Sequence, residues 1–379
     1  MKPWLLVAGD FTPFGGMDIA NYALARYLAA RGEVHLVTHR AWPDLALPNV
    51  TIHRVARPFG FHFLGSLWLS QVGQRVWRGL KPRGVHALVN GGNCPIGAAT
   101  WVHYVHAAYR PSVGGSIAHR SKAPLIYGRD LAAERTTLRA APLVICNSRR
   151  TREDVIERVG VEPSHAQVVY YGSDPIRFSP VDAHSRAVAK QRLTCSPDRP
   201  LVGFVGALGD RRKAFDAVFE AWSELCRRRA WDADLLVAGT GAELPYWQRR
   251  ARAAGLEERI RFAGYRRDMP EVFAALDALV HPARYEAYGL SVHEALCRGV
   301  PALVSAGAGV AEQYPAELSE LLLENPDDPG ELVERLSLWR CHSERFHALI
   351  APLSQKLRAR TWDDMAADIT ALVERAEAA

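Results

Sequence analysis

Short apolar runs that end near a glycine and give way to a helix-period segment recur through both halves of this chain. That repetition restricts it to an α/β fold, because apolar runs of this length suit strands buried on both faces of a parallel sheet. In the first half the runs are Trp4–Ala8, Val34–Thr38, Thr51–Val55, Val85–Val89, Leu143–Cys146 and Gln167–Tyr171. Ile19, Tyr22, Ala23, Arg26 and Tyr27 fall at helical spacing, predicting a helix over Met17–Ala30; others are predicted near Leu125–Ala140 and from Arg149. The second half restarts with strands at Leu201–Val205, Leu235–Ala238, Ile260–Phe262, Leu276–His281 and Ala302–Ser305. Its helices are expected at Phe215–Cys226, through Trp247, at Glu271–Leu276, from Ser291, at Pro329–Trp339 and over 361–376. Between the halves, SDPIRFSPVDAHS lacks periodicity, so a domain boundary is placed near residue 178. A length of 379 residues also exceeds one ordinary core.

Charge is distributed unevenly. Residues 1–178 carry 21 Lys/Arg against 11 Asp/Glu, and residues 179–379 carry 26 against 30. No acid occurs from residue 45 to residue 129, so the first half is expected to meet something anionic. No helix-turn-helix, zinc-finger or RNP-type pattern accompanies the charge, which argues against nucleic acid. Within this stretch, PFGFHFLGSLWLSQVGQRVWRGLKPR combines Phe59, Phe61, Phe63, Trp68 and Trp77 with Arg57, Arg75, Arg78, Lys81 and Arg83. Such a segment suits an anionic membrane surface, and slightly better a core-facing helix with a solvated basic side. No apolar run approaches the roughly 18–20 residues of a membrane span. The six cysteines show no C-x-x-C pairing, which argues against a zinc site and for a reducing cytoplasm.

The loops carry the chemistry. In RYEAYGLSVHEAL, Glu286 lies on the loop after a strand and Glu294 on the following helix, with Gly289 between them. Free N–H groups at a helix start bind phosphate, and flanking carboxylates bind hydroxyls, a combination that suits a sugar nucleotide. Ser291 and Glu294 also fit a capping box, which needs no ligand. Gly15 and Gly16 form a similar strand–loop–helix turn, and Arg211, Arg212 and Lys213 precede another helix after Gly206. His103 and His106 stand beside Tyr104 and Tyr109, as in a pocket wall; no third ligand type accompanies them, so no metal pair is expected.

Taken together these segments resemble the retaining, nucleotide-sugar-dependent glycosyltransferases of family 4, which have the GT-B architecture. The resemblance is carried by the paired glutamates of RYEAYGLSVHEALCRGVP, with FAGYRRDMPEVFAALDALVHPAR before them, FVGAL and RRK upstream, the Gly15–Gly16 loop and CNS at 146–148. It implies two Rossmann-like domains facing across a cleft: an acceptor-side domain over 1–178, a nucleotide-sugar domain over 179–358, and a C-terminal helix at 359–379 packing back toward the first. It also implies roles. Glu286 would bind donor-sugar hydroxyls, and Tyr288, Gly289 and Leu290 would offer backbone N–H groups. Glu294 would take the ribose, Lys213 with Arg212 or Arg211 the diphosphate, and Tyr265 the base. Gly206, Gly15 and Gly16 would allow close approach to the donor, His106 would line the site, and His103 would contact the acceptor.

This chain departs from the family pattern at Ala207, where an arginine is usual, and at Ala214 and Ala287, where glycine is frequent. Arg211 or Arg212 is expected to replace the missing guanidinium. The implied reaction is metal- and cofactor-free transfer from a nucleoside-diphosphate sugar to a glycan, lipid-linked or other cell-envelope acceptor, anionic in character. A cytoplasmic protein touching the inner membrane face is expected. An idle sugar-nucleotide-binding partner subunit and a nucleotide-sugar epimerase remain alternatives. A nicotinamide dehydrogenase is disfavoured, because neither glycine loop completes G-x-G-x-x-G.

Overall fold

The computed structural model describes residues 2–57, 62–111, 117–209 and 211–378. Phe59 and Phe61 of the basic aromatic segment lie outside them. The chain forms two compact units. One comprises Met1–Arg110, Lys122–Gly172 and Arg360–Ala379; the other comprises Pro111–Ser121 and Ser173–Ala359.

In chain order the elements to the first unit's exit are β1 (Trp4–Val7), β2 (Asp10–Phe11), α1 (Gly16–Ala29), β3 (Val34–Thr38), β4 (Arg40–Ala41), β5 (Val50–Arg54), α2 (His62–Leu80), β6 (His86–Asn90), β7 (Ala99–Val102), α3 (Ile117–Ala140), β8 (Val144–Cys146), α4 (Arg149–Asp154) and β9 (Ala166–Val168). The main sheet runs β5-β3-β1-β6-β7-β8-β9, and its adjacent strands pair in parallel. β1, β3 and β6 are buried along their whole length, as continuous apolar runs in a two-faced sheet require. α2 turns Leu69, Val72, Val76 and Leu80 at helical spacing into the core beside β1 and β6. Its opposite face leaves Leu67, Trp68, Arg75 and Arg78 exposed.

The second unit continues with α5 (Ala183–Arg192), β10 (Leu201–Val205), α6 (Phe215–Arg227), β11 (Asp234–Ala238), α7 (Leu244–Ala253), β12 (Ile260–Gly264), α8 (Met269–Ala275), β13 (Ala278–His281), α9 (Leu290–Cys297), β14 (Ala302–Ser305), β15 (Leu322–Leu323), α10 (Pro329–Cys341) and α11 (Ser343–Ala359). Its parallel sheet runs β12-β11-β10-β13-β14-β15. The chain thus builds outward from β10 to one side, then returns to lay β13 on the other. That reversal opens a crevice beyond the C-terminal ends of β10 and β13, the place where such sheets bind ligands. The first unit has the equivalent reversal between β1 and β6.

Two helices fall outside the sequence expectation. α5 is capped by Asp182, whose carboxylate accepts from the Ser185 N–H at 2.7 Å. α11 carries Pro352 in its interior, which argues against a helix from sequence alone. Burial of Phe346, Ile350, Leu353 and Leu357 along one face outweighs the lost donor.

The last helix, α12 (Trp362–Ala378), returns to the first unit, where His86 Nδ1 lies 2.7 Å from Glu377 Oε2. The approach is close at Gly172: a Cβ there would sit 2.1 Å from the Thr361 carbonyl oxygen. Gly172→Ala should therefore destabilise the protein by about 1–3 kcal/mol in denaturant titration. Gly79→Ala, which meets nothing within 4 Å, should not destabilise it.

Candidate active site

The reversal in the second sheet places two loops side by side, residues 206–214 after β10 and 282–289 after β13. The first carries Arg211, Arg212 and Lys213; the second carries Glu286. Lys213 Nζ and a Glu286 oxygen form a buried ion pair, each side chain 12% exposed. A third group joins them from the end of β13. His281 is fully buried, with Nε2 2.9 Å from Glu286 Oε2 and 3.3 Å from Lys213 Nζ. Burial by itself would raise the Glu286 pKa. Lys213, His281 and Arg212 outweigh it and hold the carboxyl well below the usual carboxylate range. Burial and the adjacent lysine push the His281 imidazole the other way, toward its neutral form.

Arg284 clamps the two loops. Its N–H donates to the Arg212 carbonyl at 2.9 Å, its guanidinium reaches the Arg211 carbonyl at 2.6 Å, and it grips both Asp216 oxygens at 2.9 Å. Such a bidentate pair fixes direction as well as distance. The lysine loop is strained: Arg211 and Ala214 adopt left-handed φ values of 56° and 52°. Each costs about 1–2 kcal/mol for a residue with a Cβ, which explains why a glycine would suit position 214. Gly206 gives the lysine stem room, since a Cβ there would meet Lys213 Cγ at 3.0 Å.

The two arginines diverge. Arg212 adds its charge to the field at Glu286 and bonds the Tyr285 carbonyl at 3.3 Å. Arg211 is 56% exposed and faces Glu243 at 3.8 Å.

α9 begins one residue earlier than its sequence suggests. Gly289, at φ 107°, is the N-cap and has no side chain with which to cap the helix. Ser291 therefore sits inside the first turn, and the capping box with Glu294 does not form. The N–H groups of Leu290 and Ser291 have no acceptor within the helix. A β-carbon at Gly289 would approach Val310 Cγ1 to 3.0 Å and Glu286 Cγ to 3.3 Å. The neighbouring backbone is held by Val310 N–H on the Tyr288 carbonyl (2.7 Å) and Gly309 N–H on the Glu286 carbonyl (3.2 Å). The Tyr288 ring points inward, its hydroxyl 2.8 Å from His293 Nδ1.

Glu294 lies in the second turn of α9. Burial pushes its carboxyl up to about 8, opposed by Arg177. Tyr265 follows the edge strand β12, two strands from β10, and is 63% exposed.

In the first unit, Gly15 caps α1 with φ 88°, and Gly16 has open space at its Cβ position. The backbone N–H groups of His106 and Ala107 donate to the buried Glu134 carboxylate at 2.7 and 3.0 Å, and His106 Nδ1 lies 3.1 Å from it. His103 Nδ1 meets the Tyr171 hydroxyl at 2.5 Å, and burial lowers the ring's pKa to about 3. His281, Arg284, Asp216 and Glu134 were missed by sequence reasoning. His281 reads there as the end of an apolar strand, and the other three have no local pattern to mark them.

Comparison with known proteins supplies a family context. Residues 14–177 match the model for Glycosyltransferase Family 4, and residues 199–339 match that for Glycosyl transferases group 1. A D-inositol 3-phosphate glycosyltransferase of Salinispora tropica is 25% identical over 94% of this chain and 80% of its own length. A 2-deoxystreptamine N-acetyl-D-glucosaminyltransferase of Streptomyces fradiae is 27% identical over 84% and 81%. Among solved structures, WaaG, a glycosyltransferase involved in lipopolysaccharide biosynthesis, superposes with a TM-score of 0.77 at 19% identity, covering 98% of this chain and 99% of its own. HepE of Anabaena in complex with UDP and glucose gives 0.73 at 18%, covering 99% of each.

The raised pKa of Glu294 has a consequence for stability. Between the carboxyl's unfolded value and about 8, the folded state binds the extra proton. Stability is therefore greatest below the unfolded pKa and declines as pH rises through the folded one. Glu294→Gln should flatten the fall in melting temperature between pH 5 and pH 9 relative to the wild type. An unchanged slope would show that Glu294 is already ionised in the fold.

Proposed function

This chain belongs to glycosyltransferase family 4, and on that footing we propose that it transfers a hexose-type sugar from a nucleoside-diphosphate sugar to an acceptor hydroxyl with retention of configuration. The observation that carries this reading is the buried Lys213–Glu286 pair at the sheet reversal, beside the uncapped N-terminus of α9. A departing diphosphate needs cations and backbone donors, and a sugar needs a carboxylate that stays ionised. Lys213 and Arg212 supply the first need with the Leu290 and Ser291 N–H groups. Glu286, held anionic by its neighbours, supplies the second and faces the positive character that grows on the sugar ring. Glu294 is suited to ribose hydroxyls, which would give its buried carboxyl hydrogen-bond partners. HepE complexes hold UDP or UDP-glucose, which supports a nucleotide-sugar donor here.

Basic residues take the place of a divalent cation in this mechanism, so turnover is proposed to be metal-independent. The acceptor is proposed to be a glycan or lipid-linked envelope component. Relatives named for inositol phosphate and for lipopolysaccharide core synthesis, together with the acid-free stretch 45–129, support an anionic one. Among the described residues no helix is long and apolar enough to cross a membrane. Exposed Leu67 and Trp68, about two to three turns before Arg75 and Arg78 on α2, support contact with an anionic lipid surface.

A thermal-shift screen against UDP, GDP and ADP sugars should identify a stabilising donor. With it, Lys213→Ala should lower kcat by about 10²–10³-fold, and Arg212→Ala should cost more than Arg211→Ala. Wild-type turnover should persist in EDTA; full loss restored by Mg²⁺ or Mn²⁺ would refute metal independence. Conversion of the nucleotide sugar without acceptor would instead identify an epimerase. Sedimentation with phosphatidylglycerol vesicles should be salt-sensitive and weakened by Leu67→Ser/Trp68→Ser, whereas no binding at low salt would end the membrane proposal.

A further inference from the structure

We propose that His281 is a positioning residue for the donor sugar, holding the Glu286 carboxylate in place when Lys213 leaves it for the diphosphate. This rests on the glycosyl-transfer reading above and adds to it a residue that never touches the substrate.

The imidazole's proton can sit on either ring nitrogen. His281 Nδ1 is buried and has no hydrogen-bond partner among the described residues. A proton on Nδ1 would leave a buried donor unused and turn a bare Nε2 lone pair toward the Glu286 oxygen 2.9 Å away. A proton on Nε2 instead makes a charge-assisted hydrogen bond and leaves only a lone pair unsatisfied at Nδ1. The second tautomer follows. A ring that donates through Nε2 cannot also accept from Lys213 at 3.3 Å, so histidine and lysine both donate to Glu286 rather than to each other.

Those two donors differ in mobility. Lys213 ends a flexible four-carbon stem on a loop, and its ammonium can turn to a phosphate oxygen. His281 has no exposed surface and ends β13, where it is in register with Val304 of β14. It cannot follow a ligand. With the lysine engaged elsewhere, the histidine is the donor that still fixes Glu286. Neutralisation of the ring by burial fits this role, because a neutral donor orients the carboxylate without cancelling its charge.

Two variants test the proposal: His281→Phe keeps volume and removes the donor, and His281→Gln restores an N–H. Probes are the UDP/UDP-glucose, GDP/GDP-mannose and ADP/ADP-glucose pairs, using whichever pair the wild type binds. For His281→Phe, affinity for the nucleoside diphosphate should stay within about 2-fold, while affinity for the sugar nucleotide and kcat should each fall by about 10-fold or more. His281→Gln should recover most of that loss. In a Glu286→Ala background, His281→Phe should have no further effect on sugar-nucleotide affinity.

Equal weakening of both probes, unchanged sugar-nucleotide binding, or an additive loss in the Glu286→Ala background would overturn the positioning role. So would failure of a folded His281→Gln protein to bind better than His281→Phe. If His281→Phe does not fold, the Gln variant alone decides: near-wild-type values support the role, and Phe-like losses of about 10-fold overturn it. A wild type that binds no sugar nucleotide among the UDP, GDP and ADP pairs would instead bring down the functional reading, and the histidine's role with it.

Discussion

A buried ion pair between residues 73 positions apart in sequence, Lys213 and Glu286, is the constraint on which the second unit's site depends. Burying either charge alone would cost several kcal/mol, so each must arrive with the other already in place. No local segment can arrange that. The sheet order does, because β13 is laid against β10 after the chain has built β11 and β12 on the opposite side. The loops that follow β10 and β13 are then neighbours, and Arg284 ties them together through backbone and carboxylate contacts. Strain at Arg211 and Ala214 is tolerated where this clamp over-determines the backbone.

The same logic separates the residues around the pair into two kinds. Lys213 and Glu286 retain partial exposure and carry charge that a ligand can compete for. His281, Gly206 and Gly289 act through shape and position: a buried donor, room for a lysine stem, and a left-handed start to α9. Glu294 stands apart from both. Its carboxyl is largely desolvated and has no ion-pair partner among the described residues, so the environment favours the protonated form until something offers hydroxyls.

Much of this was legible beforehand. Continuous apolar runs mark the strands of both sheets, and glycines mark the turns into α1 and α9. Paired glutamates and the RRK run mark the loops that carry the cluster. Three features were not legible. The serine–glutamate spacing at 291–294 mimics a capping box, but the N-cap is the left-handed Gly289, two residues too early for it to form. Pro352 argues against a helix that packing nonetheless imposes. Arg211 and Arg212 are indistinguishable by type and adjacent in sequence, yet one faces Glu243 and the other the Glu286 cluster.

The α/β class, the family resemblance and the identity of the loops that carry charge are all written in the amino-acid order. These follow from periodicity, glycine placement and residue type, which are local properties. It takes the folded chain to show that His281 joins Lys213 and Glu286, that Arg284 holds their loops, and that Glu134 lies under the His106 backbone. Each of those contacts joins segments brought together by strand order or helix packing. A histidine at the end of an apolar run carries no sign of which loop the next strand will bring beside it.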